Sequence, residues 1–268
     1  MTEPQGAPSQ EVEFHHGSGA AMVSVMAGSA ALVLTGPPYF SAVTEELLQA
    51  PRREQTRLEE VRAQVVEFAL GLRGVFREAF RVTRPGGVLV IQTKNLRYGE
   101  ALVPLASIHS ELAESVGFRM VSRVFWRRTH DSVRHMNPSH LRRRATEGRF
   151  QAVDVEDFLI FRKPGGDGAL PPDLDSFSES ESDEMLSPLW VLPGPGSGGH
   201  PHAAPSTVLA RFVALFTREG DLVVDPFAGR GTTLAVARAL GRRAVGYEID
   251  RTHVLAGRRR LVEGATHG

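Results

Sequence analysis

The sequence contains no cysteine among its 268 residues. That absence excludes a disulfide scaffold, thiolate zinc sites, iron–sulfur clusters and a thiol nucleophile. No apolar run reaches the roughly 18 to 20 residues that a membrane-spanning helix needs. The richest stretch, 20–34, is interrupted by Ser24, Gly28 and Ser29. No Lys or Arg precedes Arg52, so the positive n-region of a secretory signal is missing as well. Together these absences point to a cytoplasmic protein without a membrane partner. An excess of one charge is also absent: 31 Lys and Arg balance 31 Asp and Glu, which gives no global sign of a polyanionic partner. His15 and His16 are adjacent, and neighbouring side chains seldom face one ion. They read as a solvated pair, and no metal site is expected.

What is present reads as an α/β chain. Residues 1–19 are polar and rich in Gly and Pro, and are expected to form a flexible N-terminus. A single domain is expected over 20–268. Residues 30–34 form a short apolar run ended by Gly-Pro-Pro, as for a buried strand running into a rigid turn. From Arg53 to Phe80, Leu58, Val61, Val65, Phe68, Leu72, Val75, Phe76 and Phe80 recur at threes and fours, which predicts one long amphipathic helix. RPGG stops it and a strand at 88–92 follows. A helix over 107–116, strands over 118–126 and 157–161, and a helix near 205–217 come next. The strand DLVVD, a helix near 233–240, the strand RAVGYEI and a last helix close the chain. Residues 164–199, with DLDSFSESESDE at their centre, read as a mobile loop. This alternation predicts a mostly parallel sheet covered by helices on both faces.

The most informative nonamer is DPFAGRGTT, Asp225 to Thr233. It lies between a strand and a helix, at the carboxyl edge where open α/β sheets bind ligands. Gly229 and Gly231 carry no Cβ and let the backbone approach a ligand closely. Glu248 ends the next strand, 23 residues on, where a carboxylate commonly holds ribose hydroxyls. A dinucleotide site would place a third glycine where Leu234 stands, and a P-loop would require a lysine that is missing. An adenosyl ligand without phosphates needs only the close approach, the ribose acid and an apolar slot. A plain Gly-rich turn with no ligand remains the alternative.

A second segment, TGPPYF (Thr35 to Phe40), follows the early strand. Its two prolines stiffen the backbone, and Tyr39 offers a flat aromatic face. Together the two segments resemble the amino-directed DNA methyltransferases, in which a (Ser/Asp/Asn)-Pro-Pro-(Tyr/Phe/Trp) loop is catalytic and DPFxGxGT binds S-adenosyl-L-methionine. With the catalytic loop first and the cofactor loop late, the order resembles the circularly permuted beta class. The resemblance extends from about Ala30 to Leu261. RPGGVLVIQTKN and GFRMVSRVFWRR resemble the intervening strands, and GYEID the ribose-binding motif. It implies a Rossmann-like methyltransferase fold with an antiparallel edge strand. It further implies cofactor contacts from His200, Pro201, Asp225, Phe227, Gly229, Gly231, Thr232 and Glu248. Thr35, Gly36, Pro37, Pro38 and Tyr39 would form the catalytic loop, with Tyr39 stacking on a base flipped out of duplex DNA. Gly36 departs from the pattern, because the first position carries no side-chain acceptor. Lacking an acid there, the loop is nearer the Ser-Pro-Pro-Tyr type, so cytosine N4 is favoured over adenine N6.

Residues 119–149 hold nine Arg against Asp131 and Glu147. Arginine suits bidentate contacts to phosphate or guanine. In the permuted family the target-recognition region falls in this part of the chain, so 127–199 is expected to be a small insert. Arg127, Arg128, Arg134, Arg142, Arg143 and Arg144 are its candidate DNA contacts. Residues 164–200 hold seven acids and no Lys or Arg, and the acidic run Asp173 to Glu184 could fold over that cluster when DNA is absent. The resemblance is compatible with a homodimer and with a restriction partner, and identifies neither. Two other readings stay open: a cofactor-binding protein of the same fold with weak or no catalysis, and a methyltransferase acting on RNA or a small molecule.

Overall fold

The structure is a computed structural model, and it describes residues 11–38, 54–98, 101–129, 155–166, 177–194 and 204–263. Eight strands form one sheet: β1 (Val12–His16), β2 (Ala30–Thr35), β3 (Thr83–Thr93), β6 (Arg119–Thr129), β7 (Val155–Arg162), β8 (Leu189–Pro193), β9 (Leu222–Asp225) and β10 (Arg243–Glu248). A small ladder of β4 (Leu96–Tyr98) and β5 (Ala101–Val103) stands apart. The strand order is β1-β10-β9-β2-β3-β7-β6-β8. Within this sheet all pairings are parallel except those of β7 with β3 and β6. The one reversed strand therefore lies inside the sheet, while β1 and β8 form its edges.

Helices cover both faces, as buried parallel strands require. On one face α1 (Glu54–Val82) and α2 (Leu105–Ser115) pack Leu72, Phe76, Ala79, Ala106 and Ala113 against Val33, Leu89 and Ile91. On the other, α4 (Ser206–Phe216), α5 (Thr232–Ala239) and α6 (Arg251–Glu263) bury Val208, Phe212, Leu234 and Val254 against Leu32, Leu34, Val90 and Phe158. Alternate residues of β2 and β3 thus serve opposite cores, the two-fold periodicity of a central strand. Among the described residues, no helix is long and apolar enough to cross a membrane.

Several expectations are corrected. The N-terminal segment is not loose throughout: β1 pairs with β10 from Val12↔Ala244 to His16↔Glu248. Phe14 is buried there, and His15 stacks on Tyr247 with centroids 4.9 Å apart while its side chain stays 36% exposed; His16 is exposed. The segment expected to be a mobile loop contains α3 (Glu179–Met185) and β8. α3 is started by a reciprocal Ser178–Glu181 capping box, and β8 is anchored by Trp190, which is 1% exposed. Residues 127–199 are consequently not one insert, because β7 and β8 belong to the main sheet. RPGG, placed between helix and strand by the sequence, lies within β3, and α1 runs two residues beyond Phe80.

Candidate active site

The pairing of β2 with β9 brings the two sequence motifs together. Val33 is in register with Val224, so both chains leave the sheet side by side at their carboxyl ends. There the Thr35 hydroxyl donates to Asp225 Oδ1 at 2.8 Å. The Phe227 backbone N–H donates to the same oxygen at 3.1 Å, and the Thr233 hydroxyl bonds the same carboxyl group. Burial pushes the Asp225 pKa up to about 6; those hydrogen bonds oppose the rise and the nearby Glu248 carboxylate adds to it. One buried carboxyl group thus clamps both loops.

The turn after β9 uses Gly229 at φ +53° and Gly231 at φ +74°, conformations that strain any residue with a Cβ. Gly231 is the N-cap of α5 and offers no side-chain cap, so the first amides of that helix stay open. Glu248, at the end of β10, is fixed on both sides: Gly229 N–H donates to Oε2 and Asp250 N–H to Oε1, each at 2.9 Å. A Cβ on Gly246 would stand 2.7 Å from Leu234 Cδ1 and 2.8 Å from Ala228 Cβ, so only glycine lets α5 and its loop lie so close to β10. Thr232 turns its hydroxyl to Arg260 (3.1 Å).

On the catalytic-loop side, Gly36 and Pro38 are exposed and Pro37 is buried. A Cβ on Gly36 would lie 3.5 Å from Gln92 Oε1. Gln92, one residue before the end of β3, donates its amide N–H to Glu156, which is fully buried and ion-paired with Arg128. Asp157 binds Arg123 at 2.6 Å; burial raises its pKa, with the guanidinium opposing. Arg127 is exposed. Tyr39, Arg134, Arg142, Arg143, Arg144, His200 and Pro201 lie outside the described residues.

The sequence reading missed Thr233, Gln92 and Glu156, and also residues 17–20. A Cβ on Gly19 would touch the Pro226 carbonyl oxygen at 2.5 Å, and Gly17 N–H donates to Glu248 O at 2.9 Å. The available signals were the polar ends of two apolar strands, Gln92 after VLVI and Glu156-Asp157 before FLIF.

The donor set fits S-adenosyl-L-methionine. Glu248 presents fixed acceptors suited to vicinal ribose hydroxyls, and a Cβ on Gly229 would project into open space over the loop. The two carboxyl groups, Asp225 and Glu248, favour a cationic, phosphate-free ligand over a pyrophosphate.

A family model described as DNA methylase matches residues 30–258. Over 192 residues the chain is 29% identical to the type II methyltransferase M.MjaI of Methanocaldococcus jannaschii, covering 66% of this chain and 62% of that protein. The chain spans about three-fifths or less of the length of the first curated relatives it matches. TTHA0409 of Thermus thermophilus, assigned as a DNA modification methylase, superposes with a TM-score of 0.71 at 25% identity, covering 96% of each chain. That protein is also known in complex with S-adenosyl-L-methionine. The cytosine-N4-specific PvuII DNA methyltransferase shares the fold, with a TM-score of 0.67 at 17% identity over 96% of this chain and 92% of that one.

Proposed function

We propose, from the premise that this chain belongs to the DNA methylase family, that it methylates an exocyclic amine of a base in duplex DNA, cytosine N4 in preference to adenine N6. The observation that carries this reading is the Thr35–Asp225 hydrogen bond, which sets Gly36-Pro37-Pro38 against the glycine loop. When bound, S-adenosyl-L-methionine supplies an electrophilic methyl carbon whose bond to sulfur breaks as the amine nitrogen bonds to it. The chain's residues supply positioning and electrostatics. Glu248, Gly229 and Gly231 hold the adenosyl part, and Asp225 fixes the relative position of the two loops. A main-chain carbonyl of Gly36 or Pro37 accepts one N–H bond from the amine and helps orient its lone pair; one amine proton then leaves to water. The duplex base reaches this loop by flipping out, and Tyr39 stacks on it. Gly36 carries no carboxylate, which supports the cytosine preference.

The test uses the purified chain, methyl-labelled cofactor and DNA from a host without modification. Label is expected in the DNA, at N4-methylcytosine by mass spectrometry of the nucleosides. Cofactor binding with no transfer to any duplex would overturn the reading. Transfer to RNA alone would assign a different substrate.

A further inference from the structure

Gly36 leaves the catalytic loop without the side-chain acceptor that the proposed chemistry calls for, and the fold brings another one to the same place. We infer that the Gln92 carboxamide, presented from the neighbouring strand β3, supplies the missing acceptor for the target amine. This rests on the reading of Gly36-Pro37-Pro38 as the amine-binding loop.

Position comes first. The three atoms nearest to a Cβ built on Gly36 all belong to Gln92: Oε1 at 3.5 Å, Cβ at 3.6 Å and Cδ at 3.9 Å. Thr35 is in register with Ile91, so Gly36 and Gln92 are the next residues out along two paired strands. A side chain at 36 would therefore project toward the place where the Gln92 oxygen already stands.

Orientation follows from the partner. A carboxylate only accepts hydrogen bonds, so the Gln92 NH2 must face Glu156, and the carbonyl end of the amide is turned the other way. Glu156 has no exposed surface and cannot swing aside. Arg128 binds it, with the guanidinium 5.0 Å from the Trp126 ring centre. Gly36, Gln92, Glu156 and Arg128 thus form a polar row across β2, β3, β7 and β6, at the edge of an otherwise apolar face built from Leu34, Val90, Phe158 and Trp126. Burying an amide and a carboxylate at the end of such a face is costly unless both are hydrogen-bonded, and the Glu156 contact holds the Gln92 amide beside the amine-binding loop. Gln92 takes no proton. It accepts one N–H of the amine and favours the pyramidal nitrogen, while Glu156 and Arg128 act as positioning residues behind it.

Gln92→Met removes the acceptor with little change in volume. Its kcat for DNA methylation is expected to fall about 100-fold or more, the size of loss seen when one positioned polar contact is deleted. Affinity for S-adenosyl-L-methionine by calorimetry should stay within twofold of the wild type. Gly36→Ser has room for its Cβ at ordinary contact distance and needs no left-handed backbone. Added to Gln92→Met, it should restore the rate at least tenfold. In the presence of S-adenosylhomocysteine, Gln92→Met should bind a duplex carrying the target base less tightly than the wild type does, while the two bind the same duplex with an abasic target equally well. If Gln92→Met does not fold, Gln92→Asn withdraws the oxygen while keeping the amide, and the same losses are expected. Full activity in a folded Gln92 variant, or a loss that Gly36→Ser does not relieve, would overturn the inference alone. A wild-type chain that methylates no DNA would overturn it together with the proposed function.

Discussion

Asp225 combines two demands that conflict. It must be buried to reach both Thr35 and Phe227, and burial penalises its charged form. Its pKa in the folded chain, about 6, lies above the ordinary 3.8. The folded state therefore holds the proton more tightly than the unfolded state. The stability this group contributes is complete below about pH 4 and is lost as pH rises to about 6. The gap corresponds to on the order of 3 kcal/mol at neutral pH. Asp225→Asn keeps an oxygen for Thr35 and Phe227 and removes the charge. Its melting temperature relative to the wild type should rise between pH 4.5 and pH 7.5, while affinity for the methyl donor falls about tenfold. A flat difference across that range would show that Asp225 titrates normally. Gly246 makes a steric demand instead. With Leu234 and Ala228 both under 3 Å from a Cβ there, Gly246→Ala should cost about 1 to 3 kcal/mol by overpacking, read from the urea midpoint. A loss below about 0.5 kcal/mol would mean that α5 moves freely away from β10.

The elements differ in how plainly the sequence announces them. α1, β2, β9 and β10 are legible because apolar periodicity or a continuous apolar run meets a glycine or proline stop. β1, α3 and β8 are not: β1 and α3 are short and polar in composition, β8 is a five-residue apolar run inside a segment rich in Gly, Pro, Ser and acid, and each is held by a single anchor. Phe14 anchors β1, the Ser178–Glu181 pair starts α3, and Trp190 fixes β8. The site divides in the same way. Asp225, Gly229, Gly231 and Glu248 sit in contiguous motifs and could be read directly. Gln92 and Glu156 are 64 residues apart and meet only through the pairing of β3 with the reversed strand β7, which no local pattern encodes. The anchor of β8 is the easiest of these to probe. Trp190 packs on Phe212 with ring centroids 4.7 Å apart and lies 5.3 Å from the Arg211 guanidinium. Trp190→Ala should cost about 3 to 5 kcal/mol in a urea titration. A loss under 1 kcal/mol would make β8 a passive edge.

At the scale of the molecule, the zero net charge conceals a basic segment of nine arginines and an acidic one of seven carboxylates. Their described members do not cancel each other. Glu184 pairs with Arg211 of α4, and the Glu181 side chain is turned to Ser178 at its own helix start. Arg123 and Arg128 are held by Asp157 and Glu156 within the sheet. Equal arginines at 127 and 128 thus have unequal roles: Arg127 is exposed, whereas Arg128 serves the Gln92 row. DNA affinity measured by anisotropy between 50 and 200 mM salt should separate them. Each lost phosphate contact lowers the slope of log K against log salt by about 0.9, so Arg127→Ala should flatten the slope by about one and leave the turnover of bound DNA unchanged. Arg128→Ala should keep the slope and lower turnover, because the Glu156 carboxylate it leaves behind no longer holds the Gln92 amide in place. If Arg128→Ala changes the slope as Arg127→Ala does, Arg128 faces the phosphates and the buried row ends at Glu156.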